Sequence, residues 1–215
     1  MQSILSKKST RDHLITLWVN AFFNIAVCET FPLFAMSRSG GMGWTESRIG
    51  AAGTLAGFIF CACQYFVFTR IMNNHTIHEG IRISSFWGSM PVCLFPIALL
   101  LQKQPQYGEQ LSFVFLGMLY SVFSVFHSIF CACVTIATNR TVEASHRATM
   151  NGVSTVGVSL GRGLAPLFAG VLVGISMSGW LPEMFRSILL YSVLFVAGVG
   201  AFWTTRGLND EGDML

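Results

Sequence analysis

Residues 111–138 read LSFVFLGMLYSVFSVFHSIFCACVTIAT, 28 positions without one Asp, Glu, Lys or Arg. As a helix at 1.5 Å per residue this run reaches about 42 Å, more than the roughly 30 Å hydrocarbon thickness of a bilayer. Five further apolar runs of spanning length lie on either side of it, at about 13–36, 47–70, 83–102, 148–177 and 184–205. Six spans then account for most of the 215 residues. The predicted fold class is an all-α integral membrane domain of six transmembrane helices.

Composition agrees. Hydrophobic residues make up 53% of the chain and charged residues only 11%, whereas a soluble domain commits roughly a quarter of its residues to Asp, Glu, Lys and Arg. The net charge of +3 is too small and too scattered for a nucleic-acid footprint, so no nucleic-acid partner is expected. The first partner of this surface is the lipid bilayer.

The spans are separated by short breaks with turn chemistry: Ser39-Gly40-Gly41 with Thr45 as an N-cap, Asn73-Asn74, Pro105, Asn139 to His146, and Gly179 before Pro182. The first run has no small-residue cleavage site and is expected to stay as a helix. The expected organisation is a cytoplasmic N-terminal segment at 1–12, a six-helix unit at 13–206 and an acidic cytoplasmic tail at 207–215.

Basic loops are retained on the cytoplasmic side. With the N-terminus inside, Lys7, Lys8, Arg11, Arg70, Arg82, Arg140, Arg147 and Arg206 are cytoplasmic, eight against the four of Arg38, Arg48, Lys103 and Arg186. An even number of spans then returns the C-terminus to the same side. Nothing in the residues selects a plasma membrane over a vacuolar or endosomal one.

Two patterns resemble metal or redox sites and fail on geometry or context. In Cys61-Ala-Cys63 and Cys131-Ala-Cys133 the two thiols of each pair point about 200° apart on a helix, so neither pair chelates one ion. Small, buried, apolar cysteine is the expected role. His75-Thr-Ile-His78-Glu79 matches neither HExxH nor HxxEH and reads as a solvated loop. No catalytic residue, metal site or cofactor is expected, and the chain does not read as an enzyme.

Charge inside the spans is more informative. Only Glu29 and Arg162 lie well inside an apolar run. Counted from the cytoplasmic ends at 1.5 Å per residue, Glu29 lies about 24 Å deep, Arg162 about 21 Å and His127 about 17 Å. An unpaired charge at the bilayer centre costs at least about 2.5 to 3.5 kcal/mol on insertion scales, so an ion pair or a wet cavity is expected there.

Polar residues follow single helix faces. Asn151, Thr155, Ser159 and Arg162 make a stripe on the fifth span with Pro166 one turn beyond, and Tyr120, Ser124 and His127 make a shorter one on the fourth. The first span offers Asn20 and Asn24 on one face, with Glu29 about 140° away from Asn24. Pro32 frees the Cys28 carbonyl and is expected to distort that helix. Small residues four apart recur as Gly53 and Gly57 on the second span, and as Gly157 with Gly161 and Gly170 with Gly174 on the fifth, where helices can approach closely.

Cys28-Glu-Thr-Phe-Pro-Leu-Phe-Ala-Met-Ser37, followed by Gly40-Gly-Met-Gly-Trp-Thr-Glu-Ser-Arg-Ile-Gly50, resembles the seventh helix and following loop of zinc-induced facilitator-like proteins of the major facilitator superfamily. Thr138-Asn-Arg-Thr-Val-Glu-Ala-Ser-His-Arg147, Met150-Asn-Gly152, Ser159-Leu-Gly-Arg162 and Ala165-Pro-Leu-Phe-Ala-Gly170 are similar to the loop and eleventh helix of drug/proton antiporter relatives. Ala165 stands where the family usually has glycine before the proline.

The resemblance implies the C-terminal six-helix half of a twelve-helix secondary transporter moving a small solute, with proton coupling. It implies that the first and fourth spans line a central cavity, the second and fifth meet the other half, and the third and sixth face lipid. The substrate or proton pathway would then hold Glu29, Arg162, His127, Asn24, Tyr120, Ser124, Asn151, Thr155 and Ser159. Such folds build their central site between two halves, so the expected partner is a second six-helix half, either another copy or a separate N-terminal half. The alternative is a non-transporting membrane subunit or interaction protein derived from a truncated transporter.

Overall fold

The computed structural model describes residues 7–208, and every regular element among them is helical. The helices are α1 (Lys8–Met36), α2 (Glu46–Asn74), α3 (Ile77–Leu94), α4 (Ile97–Gln102), α5 (Gly108–Arg140), α6 (Arg147–Met177) and α7 (Glu183–Thr204). Since α3 and α4 form one stretch, six spans are long and apolar enough to cross a membrane. The all-helical, six-span reading holds. Of the expected terminal segments, residues 1–6 and 209–215 lie outside the described residues, and α1 already begins at Lys8.

The third span starts six residues earlier than hydropathy alone suggests. Thr76 accepts a hydrogen bond from the Glu79 amide at 3.3 Å, and the Glu79 carboxylate accepts one from the Thr76 amide at 3.0 Å. This reciprocal capping box satisfies two otherwise orphaned amides and sets the helix start. The segment from His75 to Glu79 is therefore not a solvated loop as its composition suggests. His75 is exposed, whereas His78 is buried on the first turn of α3.

Proline acts unevenly. Helix α1 runs through Pro32 and α6 through Pro166. Only at Phe95-Pro96 does a helix break, separating α3 from α4, where the proline ring removes the amide that would bond back to Val92.

The core lies among α1, α3, α4, α5 and α7, with Phe23, Phe31, Phe34, Phe95, Phe123 and Tyr191 as its large members. Helices α2 and α6 flank it and contribute only Ala52 and Ala165. Buried residues on α2 are limited to Ala52, Ala56 and Ile71, and those on α6 to Met150, Gly157, Ala165, Ala169 and Ser176. Both helices are apolar, so their exposed faces are suited to lipid or to another helix.

Polar clamps close the two ends of the bundle. At one end the Thr10 hydroxyl donates to Thr141 at 3.2 Å, Arg82 donates to the Leu208 carbonyl at 2.7 Å, and His13 and His78 meet Nε2 to Nε2 at 3.1 Å. At the other end Arg48 pairs with Glu109 at 2.8 Å and lies over the Trp44 ring, and Arg186 donates to the Leu181 carbonyl at 2.7 Å and to Ser39. The loop carrying Ser39 turns through Gly40 and Gly43, whose positive φ values of 78° and 63° favour glycine. Arg82 thus lies at one end of the bundle, and Arg48 and Arg186 at the other.

Candidate transport pathway

Two stations occupy the wall formed by α1, α5 and α6. At the first, the Tyr120 hydroxyl of α5 donates to Cys28 Sγ at 3.6 Å, and Cys28 reaches the Asn24 side chain at 3.9 Å one turn back along α1. Glu29 follows Cys28 and is exposed, close enough for its charge to act on both Cys28 and Tyr120. The Tyr120 ring stacks on Phe31 with centroids 4.7 Å apart, which fixes the direction of its hydroxyl.

At the second station, His127 Nε2 lies 3.2 Å from Cys131 Sγ, one turn along α5. The guanidinium of Arg162, exposed on α6, acts electrostatically on both groups. Seven residues separate Tyr120 from His127, so the two stations are about 10 Å apart along the membrane normal. Between them the rings of Tyr120, Phe123 and His127 form a stacked series, with spacings of 6.2 and 6.1 Å.

Glu29 and Arg162 form no ion pair with each other among the described residues. Each is exposed on its own helix, so within this chain neither charge is relieved by pairing with the other. Asn151, Thr155 and Ser159 are exposed on α6 in line with Arg162, and Thr155 turns its hydroxyl back to the Asn151 carbonyl at 2.8 Å. Ser124 likewise bonds its own helix, donating to the Tyr120 carbonyl at 2.8 Å. A backbone acceptor within the helix lets a hydroxyl tolerate apolar surroundings.

The structure separates some residues that helical periodicity grouped. Asn20 does not share a surface with Asn24, since it is buried and donates to Ser85 on α3 at 3.3 Å. Cys61 and Cys63 are exposed on α2 rather than buried, whereas Cys133 is buried near Met72 and Cys131 is half-buried beside His127. Spacing alone could have pointed to Cys28 and Cys131, which stand four residues after Asn24 and His127, on the same faces.

The glycine pairs also divide. A Cβ at Gly157 would run into the Trp18 indole, and Gly161 lies against Phe22, so this pair seats α6 on α1. Gly53 and Gly57 on α2, with Gly170 and Gly174 on α6, face open space. On the same helices Phe58, Tyr65 and Phe66 of α2 and Leu160, Leu164 and Leu167 of α6 are also exposed. Among the described residues no group of three or more His, Cys, Asp or Glu could hold a metal ion.

The chain is 23% identical over 210 residues to Protein ZINC INDUCED FACILITATOR 1 of Arabidopsis thaliana, an alignment covering 92% of this chain and 41% of that protein. The chain thus spans less than half the length of the curated relative it matches. No family model matches the chain, and no solved structure does so. The similarity is distant.

Proposed function

We propose that this chain is one six-helix half of a major facilitator type secondary transporter that moves a small solute, coupled to protons. One observation carries the reading: Glu29 and Arg162, together with Asn151, Thr155 and Ser159 on α6, are exposed on helices long and apolar enough to cross a membrane. Groups of this kind are poorly solvated by lipid and mark solute or ion pathways. The distant similarity to a facilitator over most of the chain supports the same reading. Glu29 would bind and release the coupling proton, and Arg162, whose charge is permanent, would position it or hold an anionic group of the solute. His127 is a second titratable group on the route.

The open face needs cover from a second half, either another copy or a separate N-terminal half. Reconstitution tests this directly. Proteoliposomes holding the covered assembly should show solute flux that responds to an imposed pH gradient, whereas vesicles with one verified six-helix monomer each should show none. Gradient-dependent flux from the monomer, or none from the assembly, would defeat the reading.

In the proposed orientation both termini are cytoplasmic. Asn74-His-Thr76 and Asn139-Arg-Thr141 fit the glycosylation acceptor pattern, and both should stay unmodified in a glycosylating cell, as read by enzymatic deglycosylation and gel mobility. A glycan at either site would reverse the orientation.

A further inference from the structure

Away from both pathway stations, one end of the bundle encloses a cavity of about 480 Å³ whose lining includes Lys7, Arg140, Thr141, Val142, Glu143 and Arg147. Three spans end around it, since α1 begins at Lys8, α5 ends at Arg140 and α6 begins at Arg147. These helices have 29, 33 and 31 residues, lengths of about 44 to 50 Å. A bilayer with its headgroups is about 40 to 45 Å thick, so the cavity lies in a headgroup layer.

The floor of the cavity is fixed by the fold. Thr141 and Val142 are buried. The Thr141 hydroxyl accepts from Thr10 of α1 at 3.2 Å and donates to the Thr138 carbonyl at 2.8 Å, and Val142 packs with Leu14 and Met150 in a small apolar cluster. The backbone carrying Arg140 and Glu143 is thereby held against the start of α1.

Charge is the anomaly here. Three cations and one carboxylate share the lining, a net charge of +2. None of the four is paired, because the ion pairs among the described residues are Arg48 with Glu109 and His75 with Glu79. Other cations of the chain do have partners: Arg82 and Arg186 donate to backbone carbonyls at 2.7 Å, and Arg206 lies 4.4 Å from the centre of the Trp203 ring. Retention of basic loops on one side of a membrane requires cations at this end, but not their convergence on one cavity. Like charges so gathered repel, and an anion among them would relieve that repulsion.

The charge and the donors narrow the anion. A phosphomonoester carries about −1.5 to −2 near neutral pH and presents three strong acceptor oxygens, which matches a site of net +2 with three cations. Each arginine offers a planar fork suited to two phosphate oxygens, and lysine acts as a point charge. The phosphodiester of an ordinary phospholipid has a single negative charge and leaves part of the site uncompensated. The volume exceeds that of a bare phosphate and lies within the range of small-ligand sites, so the group esterified by the phosphate also has room.

We propose that this cavity binds a phosphomonoester, the group that a phosphorylated lipid headgroup presents at this depth, with Arg140 and Arg147 as its forks and Lys7 as its third cation. The site is independent of transport. In the proposed orientation it faces the cytoplasmic leaflet, where anionic lipids collect.

The test titrates the full chain in neutral detergent with short-chain phosphatidylinositol 4-phosphate, with the same lipid lacking the 4-phosphate, and with soluble inositol 1,4-bisphosphate, reading affinity and melting temperature. The 4-phosphate lipid should bind at least about tenfold more tightly than the lipid without it and raise the melting temperature, an effect weakened by added salt. Arg140→Gln and Arg147→Gln should each weaken binding by about tenfold or more, with the unliganded melting temperature unchanged. Glu143→Gln should tighten it, a gain that a purely structural role would not produce. Binding of the soluble bisphosphate as tight as that of the lipid would show that the phosphomonoester suffices, and much weaker binding would make the lipid its source; both agree with the proposal. Equal affinity for the two lipids, or binding that folded Arg140→Gln and Arg147→Gln leave unchanged, would overturn it.

Discussion

Gly157→Leu is expected to separate α6 from α1 and to lower the stability of the bundle by about 3 kcal/mol, the upper end of the usual cost of overpacking. The reason is local. The place of a side chain at Gly157 is already filled by the Trp18 indole, whose Nε1 donates to the Ser154 carbonyl of α6 at 3.3 Å. The indole therefore cannot swing away without giving up that bond. Gly53→Leu and Gly170→Leu, at positions that face open space, should change the stability of the six-helix unit by no more than about 0.5 kcal/mol. Thermal unfolding in detergent reads the contrast. Equal losses at Gly157 and Gly53 would mean that α6 is not seated on α1 as described.

Glu29→Gln should abolish the response of solute flux to a pH gradient in the covered assembly while leaving expression and melting temperature unchanged. The carboxyl group is exposed and in no ion pair among the described residues, so little in the fold depends on its charge. The amide cannot bind and release a proton, although it keeps the size and much of the hydrogen-bonding capacity of the side chain. Flux measured with and without an imposed gradient decides the matter. A gradient response equal to that of the native chain would remove Glu29 from the mechanism and leave His127 as the titratable candidate.

Much of the fold was legible because membrane helices advertise themselves by length and by lack of charge. Residues 111–138 could scarcely be anything else, and α5 contains all of them. The start of α3 was not legible by hydropathy, since Thr76, His78 and Glu79 are polar. Their capping box was visible as Thr-x-x-Glu but was masked by the resemblance of the same residues to a metal motif. The break at Pro96 was also missed. Proline at 32 and at 166 is accommodated by continuous helices and proline at 96 is not, a difference that depends on tertiary packing rather than on the residue.

The polar stripes of α5 and α6 were readable because a face repeats every three to four residues. Contacts between helices were not, because periodicity says nothing about which face meets which. That is why Asn20 and Asn24 were grouped although one binds Ser85 and the other lies beside Cys28. It is also why the His13 and His78 contact, spanning 65 residues of sequence, could not be foreseen, and why six alike glycine positions concealed two different surroundings. The two charges at membrane depth were easily found, but their lack of mutual pairing required the positions of α1 and α6.

The central claim is that the open faces of α2 and α6 are covered by a second half, while α7 meets lipid. A photoreactive amino acid placed in native membranes at Phe58 on α2, Leu164 on α6 or Val196 on α7, which are 73%, 58% and 68% exposed, tests this most directly. Illumination should give a discrete protein adduct from positions 58 and 164 that mass spectrometry identifies as a second copy or as a six-helix N-terminal half, and lipid adducts from position 196. Lipid adducts alone from all three positions would contradict the account.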